Sequence, residues 1–285
     1  MRSLRMRVAV GVAATLITTA VGAVVGATPA AAAISGVVQV RGTPSATDSQ
    51  ILKNSTATCP AGTVVIATGF ELNGAAGDII LDDMIPSTTN VFVQAGEDGD
   101  GTNASWNVVA WATCAFRPTG YEIMSAGIQS DPGTLREAIA TCSSTSKRVI
   151  GAAANLSAGF GQISISTLTF DDTHVFAFGT DDQDGFAGAW AITAYAICAD
   201  PLPGLRTSPG NSSFDSNSPK SANAPCNDVA GQVALGFGWS VGGSGEVVIT
   251  FARSFGPSAS VTFNEDDDGY LNSWSSTIIL RCANV

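Results

Sequence analysis

Hydrophobic and polar residues alternate along the chain in short runs, and each run ends at glycine or at a polar turn. In the run from Trp190 to Cys198, every second residue is apolar. An alternation with a period of two predicts β-strands, because successive side chains of a strand point to opposite faces. We therefore predict an all-β fold. The only helical candidate is the segment Gly133–Ala140, which would form at most two turns.

The runs recur with a period of 84 residues. Trp106, Trp190 and Trp274 are 84 residues apart, and each opens a strand that ends in cysteine. The period predicts three tandem β repeats, each with four good strands and a weaker fifth. The repeats are at 34–119, 120–203 and 204–285. A β-prism-like, pseudo-three-fold arrangement is the favoured architecture, and three consecutive small β-sandwiches are the alternative.

Residues 1–33 have the pattern of a secretory signal peptide. Arg2, Arg5 and Arg7 precede a long apolar run, and Ala31–Ala33 offers a cleavage site of small residues. We predict that this leader is removed, that the mature chain is secreted, and that no membrane span remains. The chain carries a net charge of −11, and loss of the three arginines takes it to −14. Such a charge disfavours nucleic acid as a partner and favours capture of divalent cations.

The chain has six cysteines, two in each repeat, and an even number in an exported protein predicts disulfides. The repeats allow pairing within each repeat or between neighbouring repeats. Pairing within repeats is favoured, because each repeat is then closed by its own bond. The predicted pairs are Cys59–Cys114, Cys142–Cys198 and Cys226–Cys282. A zinc site is disfavoured, because the C-x-x-C spacing is missing.

Several motifs resemble a family of secreted bacterial tandem-repeat proteins, whose unit runs from GYE through CPAG to AYAICA. The matching segments are GYEIMSA at 120–126, CPAGTVVIATGFEL at 59–72 and WAITAYAICADPLPG at 190–204. The first and third repeats depart from the closing motif, and the second repeat has CSST where CPAG is expected. The resemblance covers residues 36–285 and implies export and repetition, but it implies no functional residue. The three-fold plan is also similar to that of vitelline membrane outer layer proteins, which are β-prisms, and this likeness concerns the fold alone.

Each repeat contains an acidic turn directly before its tryptophan. The D-x-D-G segments of these turns contain Asp98 and Asp100, Asp182 and Asp184, and Asp266 and Asp268. Carboxylates two residues apart, followed by glycine, can offer oxygen ligands to a calcium ion. However, the glutamate that completes an EF-hand loop is missing, and Asp-Gly is a common hairpin pair. A plain turn is favoured, calcium is the alternative, and no cofactor is required.

Three aromatic residues are candidates for binding sugar rings. Phe186 and Tyr270 directly follow acidic turns, and Trp239 lies in a strand of the third repeat. Packing at the edge of the core is the competing interpretation for all three. The single histidine, His174, argues against most His-based catalysis. The G-x-S-x-G match at 238–242 lacks the strand–turn–helix context of a nucleophile elbow.

Taken together, these patterns predict a secreted, non-enzymatic β-repeat protein that binds an extracellular surface, a glycan or a protein. A purely structural envelope or extracellular protein is the alternative. A secreted hydrolase that uses turn carboxylates is a third hypothesis. Convergence of the three acidic turns at one end of the molecule would favour the binding hypothesis.

Overall fold

Every repeat folds into six antiparallel strands. The computed structural model describes residues 33–182, 185–226, 229–243 and 245–285, so residues 1–32 of the predicted leader lie outside the described part. Within those ranges the regular structure consists of strands, and no helix is long and apolar enough to cross a membrane. The prediction of an all-β fold is confirmed.

The strands follow the same order in each repeat. The first repeat contains β1 (Val38–Arg41), β2 (Leu52–Thr58), β3 (Thr63–Asn73), β4 (Ile79–Pro86), β5 (Asn90–Glu97) and β6 (Asn107–Phe116). The second contains β7 (Glu122–Gly127), β8 (Leu135–Thr141), β9 (Arg148–Ser157), β10 (Ile163–Phe170), β11 (His174–Asp181) and β12 (Ala191–Ala199). The third contains β13 (Arg206–Asn211), β14 (Lys220–Pro225), β15 (Gln232–Val241), β16 (Val247–Phe255), β17 (Ser258–Glu265) and β18 (Ser276–Asn284).

The three sheets are each shared between two repeats. Their strand orders are β1-β6-β3-β16-β17-β14, β13-β18-β15-β10-β11-β8 and β2-β5-β4-β9-β12-β7. Each sheet thus takes three strands from one repeat and three from another, and the exchange runs around all three repeats in a closed cycle. The alternative of three consecutive sandwiches is wrong, because none of these sheets is built from one repeat alone. A β-prism fits such a cycle and stays a prediction.

The seams between repeats are short and lie beside β-bulges. Pairing across the seams includes Asp83 with Asn155, Leu168 with Trp239, and Ala252 with Phe70. Next to each seam, β4, β10 and β16 carry a bulge at corresponding positions. Bulges bend a strand and increase its twist, so the sheets curve at these points. The fully buried rings of Phe70 and Trp239 come from different repeats and meet edge to face, 6.4 Å apart.

The disulfides join different sheets. The bonds are Cys59–Cys114, Cys142–Cys198 and Cys226–Cys282, which is the pairing within repeats favoured from the sequence. The first cysteine of each pair directly follows β2, β8 or β14, and the second lies in β6, β12 or β18. Because these partners belong to different sheets, each bond ties a repeat to itself and also ties two sheets together.

The sequence patterns missed one strand in each repeat. β2, β8 and β14 lie in the polar stretch before the first cysteine, and each occupies the edge of a sheet. In β8, which falls within the candidate helix Gly133–Ala140, the buried residues are Ala138 and Ala140. The helix expectation is therefore wrong at this position. Pairing of β8 with β11 over seven residues takes precedence over the weak helical propensity of the segment.

Candidate functional site

The three acidic turns meet at one cavity of about 80 Å³. The cavity is lined by one or more residues from every repeat, and five of its lining residues are aspartates. The lining residues are Ile80, Asp98, Gly99, Asp100, Gly161, Gln162, Ser164, Asp182, Gly245, Val248, Asp266 and Asp267. The convergence that would favour a binding function is therefore present.

Corresponding positions of the three repeats line this cavity. Asp98, Asp182 and Asp266 form one set spaced 84 residues apart, and a second set is Ile80, Ser164 and Val248. The first set comes from the acidic turns that follow β5, β11 and β17. The second comes from the first residues of β4, β10 and β16. The cavity is thus a product of the three-fold repetition and would not exist in a single repeat.

Each acidic turn is closed by its own first aspartate. The Oδ1 atoms accept hydrogen bonds from backbone N–H groups three residues later, over 2.9 Å at Asp98, 3.0 Å at Asp182 and 3.2 Å at Asp266. The donors are Gly101, Gly185 and Gly269, whose φ angles are positive and suit glycine. The D-x-D-G pattern is therefore first a turn motif, as the favoured interpretation of the sequence holds.

A glycine in a neighbouring repeat lets each acidic turn approach closely. A Cβ atom on Gly161 would lie 2.6 Å from the backbone oxygen of Glu97, in the turn of the first repeat. The corresponding distance is 3.0 Å from Gly245 to the oxygen of Asp181, and 2.7 Å from Gly77 to the oxygen of Glu265. The glycine turns of one repeat and the acidic turns of the next pack backbone to backbone, which brings the carboxylates together.

A buried tryptophan supports each acidic turn from below. The Nε1 atoms of Trp106 and Trp274 donate to the carboxylates of Glu97 and Glu265, over 3.2 Å and 2.7 Å. The second repeat has Asp181 in this place, which is one methylene shorter. There the tryptophan donates instead to the backbone oxygen of Gly133, over 2.7 Å. All three tryptophans have no exposed surface, so the expectation that they belong to the core is confirmed.

Sequence reasoning overlooked the lysines beneath two of these tryptophans. The Nζ atoms of Lys53 and Lys220 lie 4.4 Å and 4.1 Å from the ring centroids of Trp106 and Trp274. Lys53 also pairs with the Asp48 carboxylate at 2.8 Å and donates to the backbone oxygen of Trp106. Both lysines are buried, and a buried ammonium group is tolerated only when it is paired in this way. Two of the three lysines of the chain therefore hold the acidic end of the fold.

The carboxylates at the cavity repel one another. Burial raises the pKa of Asp98 to about 6, and the charges of Asp267, Asp78 and Asp100 add to the effect. Burial likewise raises the pKa of Asp266 to about 7, with further contributions from Asp268 and Glu246. Among the described lining residues, none is basic. The protein therefore gathers negative charge here without supplying the compensating positive charge.

The structure brings together most of the predicted calcium ligands. Asp98, Asp100, Asp182 and Asp266 line the cavity. Asp268 does not line it, but its carboxylate oxygen, one of Asp266 and one of Glu246 all lie within 4.8 Å of one another. Asp184 lies outside the described residues. Gln162, Ser164 and Glu246 were missed, although their 84-residue offsets from Asp78, Ile80 and Gln162 could have pointed to the glycine turns.

One of the predicted sugar platforms is wrong. Trp239 is 1 % exposed, and its Nε1 donates to the backbone oxygen of Ile165, so its ring faces the core and cannot stack on a sugar. Phe186 and Tyr270 are half-buried and pack against the core beside their acidic turns. Their ligand-binding role stays a prediction.

The remaining sequence motifs do not form a catalytic site. His174 pairs through Nδ1 with Asp171 at 2.9 Å, in the turn between β10 and β11, and is not among the lining residues of the cavity. The G-x-S-x-G segment at 238–242 lies mostly within β15, so it is a strand and not a nucleophile elbow. Neither feature offers a nucleophile next to a base.

A second acidic pair lies away from the cavity, at the seam between β4 and β9. Burial raises the pKa of Asp83 to about 7, the adjacent Asp82 charge adds to this rise, and a hydrogen bond from Asn155 opposes it. A carboxyl whose pKa is higher in the folded state binds its proton more tightly there. The folded state is therefore favoured at low pH, and this contribution is lost as the pH rises from about 4 to about 7.

We expect the substitution Asp83→Asn to raise the melting temperature at pH 8, because the variant no longer buries a charge at the seam. The gain should shrink as the pH falls through 7, where wild-type Asp83 becomes protonated. Melting at pH 5 and pH 8 measures the effect, and Glu137→Gln, an exposed carboxylate on β8, controls for net charge. An equal gain at both pH values would contradict the assignment of the effect to Asp83 titration.

Comparisons with known proteins add no functional assignment. No protein-family model matches the chain, and a search of curated proteins finds no relative. The resemblance to secreted bacterial repeat proteins stays a prediction that depends on short motifs. What this chain does must be inferred from the residues at its acidic end.

Proposed function

We propose that this protein is a secreted, non-enzymatic binding module whose ligand surface is the end of the fold that carries the cavity. The leader pattern supports export. Three disulfides among all six cysteines fit an oxidising compartment. The three-fold β scaffold then serves to hold three turns at one end.

The single observation that carries this proposal is the meeting of Asp98, Asp182 and Asp266 at one cavity. Three carboxylates from three repeats destabilise the fold when no cation lies between them, as the raised pKa values of Asp98 and Asp266 show. A protein that served only as a rigid structural element would gain nothing from this cost. Local features that oppose stability are typical of functional sites.

The dimensions of the cavity argue against a hydrolase. Sites for drug-sized ligands have volumes of about 300–1,000 Å³, and this cavity has about 80 Å³. It is too small to enclose a sugar ring together with a catalytic water, although glycosidases also use paired carboxylates. A small positive group, or a cation that is also bound by an extracellular polymer, fits both the volume and the charge.

The test is binding to an immobilised panel of extracellular polysaccharides and glycans, with calcium present. We expect the wild-type protein to bind at least one probe, and the triple variant Asp98→Asn/Asp182→Asn/Asp266→Asn to lose that binding. Asparagine keeps the Oδ1 acceptor that closes each turn, so the variant should fold, and melting verifies this. Glu137→Gln controls for the loss of surface charge.

Two results would overturn the proposal. One is the absence of binding to every probe, which would favour the purely structural alternative. The other is equal binding by wild-type protein and the folded triple variant, which would move the ligand surface away from the acidic end. Hydrolysis of a bound polysaccharide, abolished in the triple variant, would instead revive the hydrolase hypothesis.

A further inference from the structure

We propose that the cavity binds one hard divalent cation of the calcium type, anchored on Asp266 and shared by the three acidic turns. This inference rests on the proposed function, because it specifies what the same acidic end binds first. It differs from the sequence-based alternative, in which each D-x-D-G turn would hold its own ion.

The third repeat supplies the nearest set of ligands. Carboxylate oxygens of Glu246, Asp266 and Asp268 lie within 4.8 Å of one another. Oxygens that share a calcium ion at about 2.3–2.6 Å can be at most about 5 Å apart, so this set can surround one ion. The position of Glu246 is occupied by Asp78 and Gln162 in the other repeats, and Gln162 carries no charge. The three turns are therefore not equivalent as ligand sets.

Asp266 connects this carboxylate set to the shared cavity. It lines the cavity together with Asp98 and Asp182 from the other two repeats. An ion at Asp266 thus lies on the side of the turn that faces two further carboxylates. These can reach the ion directly or through its water ligands, which calcium sites commonly retain.

A buried hydroxyl group provides independent evidence of a missing ligand. Ser164 lines the same cavity, is 7 % exposed, and its Oγ has no hydrogen-bond partner among the described residues. The corresponding residues Ile80 and Val248 are apolar. A buried hydroxyl without a partner is unfavourable, and such groups usually bind water or an ion. A water molecule on the cation would satisfy Ser164 Oγ.

The volume of the cavity fits one ion. An apolar cavity of about 150 Å³ can admit benzene, whereas this one has about 80 Å³. That space suits a cation with a few water molecules. Calcium accepts six to eight oxygen ligands in irregular geometry, while magnesium requires a near-octahedral set at shorter distances. Carboxylates that arrive from three separate turns fit the calcium pattern better.

The experiment is calorimetric titration of the mature, chelator-treated protein with CaCl₂ at pH 7.5. We expect one ion per chain. Asp266→Asn should weaken binding by about a hundredfold or more, since loss of a direct ligand exceeds the tenfold to hundredfold effect of outer-sphere groups. Asp98→Asn should weaken it by about tenfold, in keeping with the effect of ligand charge on calcium affinity. Glu137→Gln should leave it unchanged.

Ser164→Val tests the second observation with little risk to folding, because the third repeat has valine at this position. We expect weaker calcium binding by about threefold to tenfold and unchanged melting of the calcium-free protein. Three equal sites per chain, no calcium binding by folded wild-type protein, or unchanged binding by Asp266→Asn would each overturn the inference. If polysaccharide binding persists in EDTA and is still lost in the triple aspartate variant, the proposed function stands and this inference alone fails.

Discussion

Removal of one disulfide, by Cys142→Ala together with Cys198→Ala, is expected to lower the free energy of unfolding by about 4 kcal/mol. The bond spans 56 residues, and in the chain-entropy model a loop of this length restricts the unfolded chain by about that amount. The bond also joins the sheet that ends at β8 to the sheet that contains β12. Urea unfolding, followed by tryptophan fluorescence, measures the loss.

The three repeats provide matched controls for this prediction. The other two disulfides span 55 and 56 residues, so the entropic part of the effect should be the same for each pair to within about 1 kcal/mol. All six cysteines are buried, and alanine avoids leaving a polar group in the core. A loss below about 1 kcal/mol for all three pairs would contradict the view that the bonds restrain the unfolded chain.

Substitution of Gly161 by alanine is expected to cost about 2–4 kcal/mol of stability and to weaken calcium binding. The left-handed φ of +76° costs about 1–2 kcal/mol with any Cβ. The new Cβ would also lie 2.6 Å from the backbone oxygen of Glu97, and relief of such crowding typically costs about 1–3 kcal/mol more. The acidic turn of the first repeat would have to move away from the second repeat.

Gly62→Ala separates the two causes. Gly62 has a similar φ of +85°, but nothing lies within 4 Å of its Cβ position. This variant should therefore lose only the backbone contribution of about 1–2 kcal/mol and should bind calcium like the wild type. Urea unfolding and calorimetry on both variants make the comparison. Equal losses would show that close packing of the turns at Gly161 is unimportant.

The strands that could be predicted are those with large apolar residues at every second position. β12 is such a strand, because Ile192 lies on the same face as its tryptophan and cysteine. β2, β8 and β14 were missed because their buried positions hold small or polar residues. In β2 the buried residues are Lys53, Ser55 and Ala57. Such a strand is half-buried at a sheet edge, where local hydrophobicity carries little signal.

The functional end of the molecule was only partly predictable. The acidic turns stand out in the sequence, and so does their repetition. Trp239 was wrongly assigned as a sugar platform, because its burial depends on contact with Phe70 from another repeat. Ser164 gave no signal, because an isolated serine in a strand is ordinary until its surroundings are known. Glu246 also required the fold, since 20 residues separate it from Asp266 along the chain.

The sequence by itself determined the strand periodicity, the 84-residue repeat, the tryptophan core and the closed turns of the D-x-D-G segments. These features follow from local chemistry: side-chain alternation, the backbone freedom of glycine, and hydrogen bonds within a turn. Only the tertiary structure decided that each repeat divides its strands between two sheets. That exchange depends on edge pairing and packing between residues far apart in the chain. It places Asp98, Asp182 and Asp266 at one cavity, and thereby makes a shared cation site out of three separate turns.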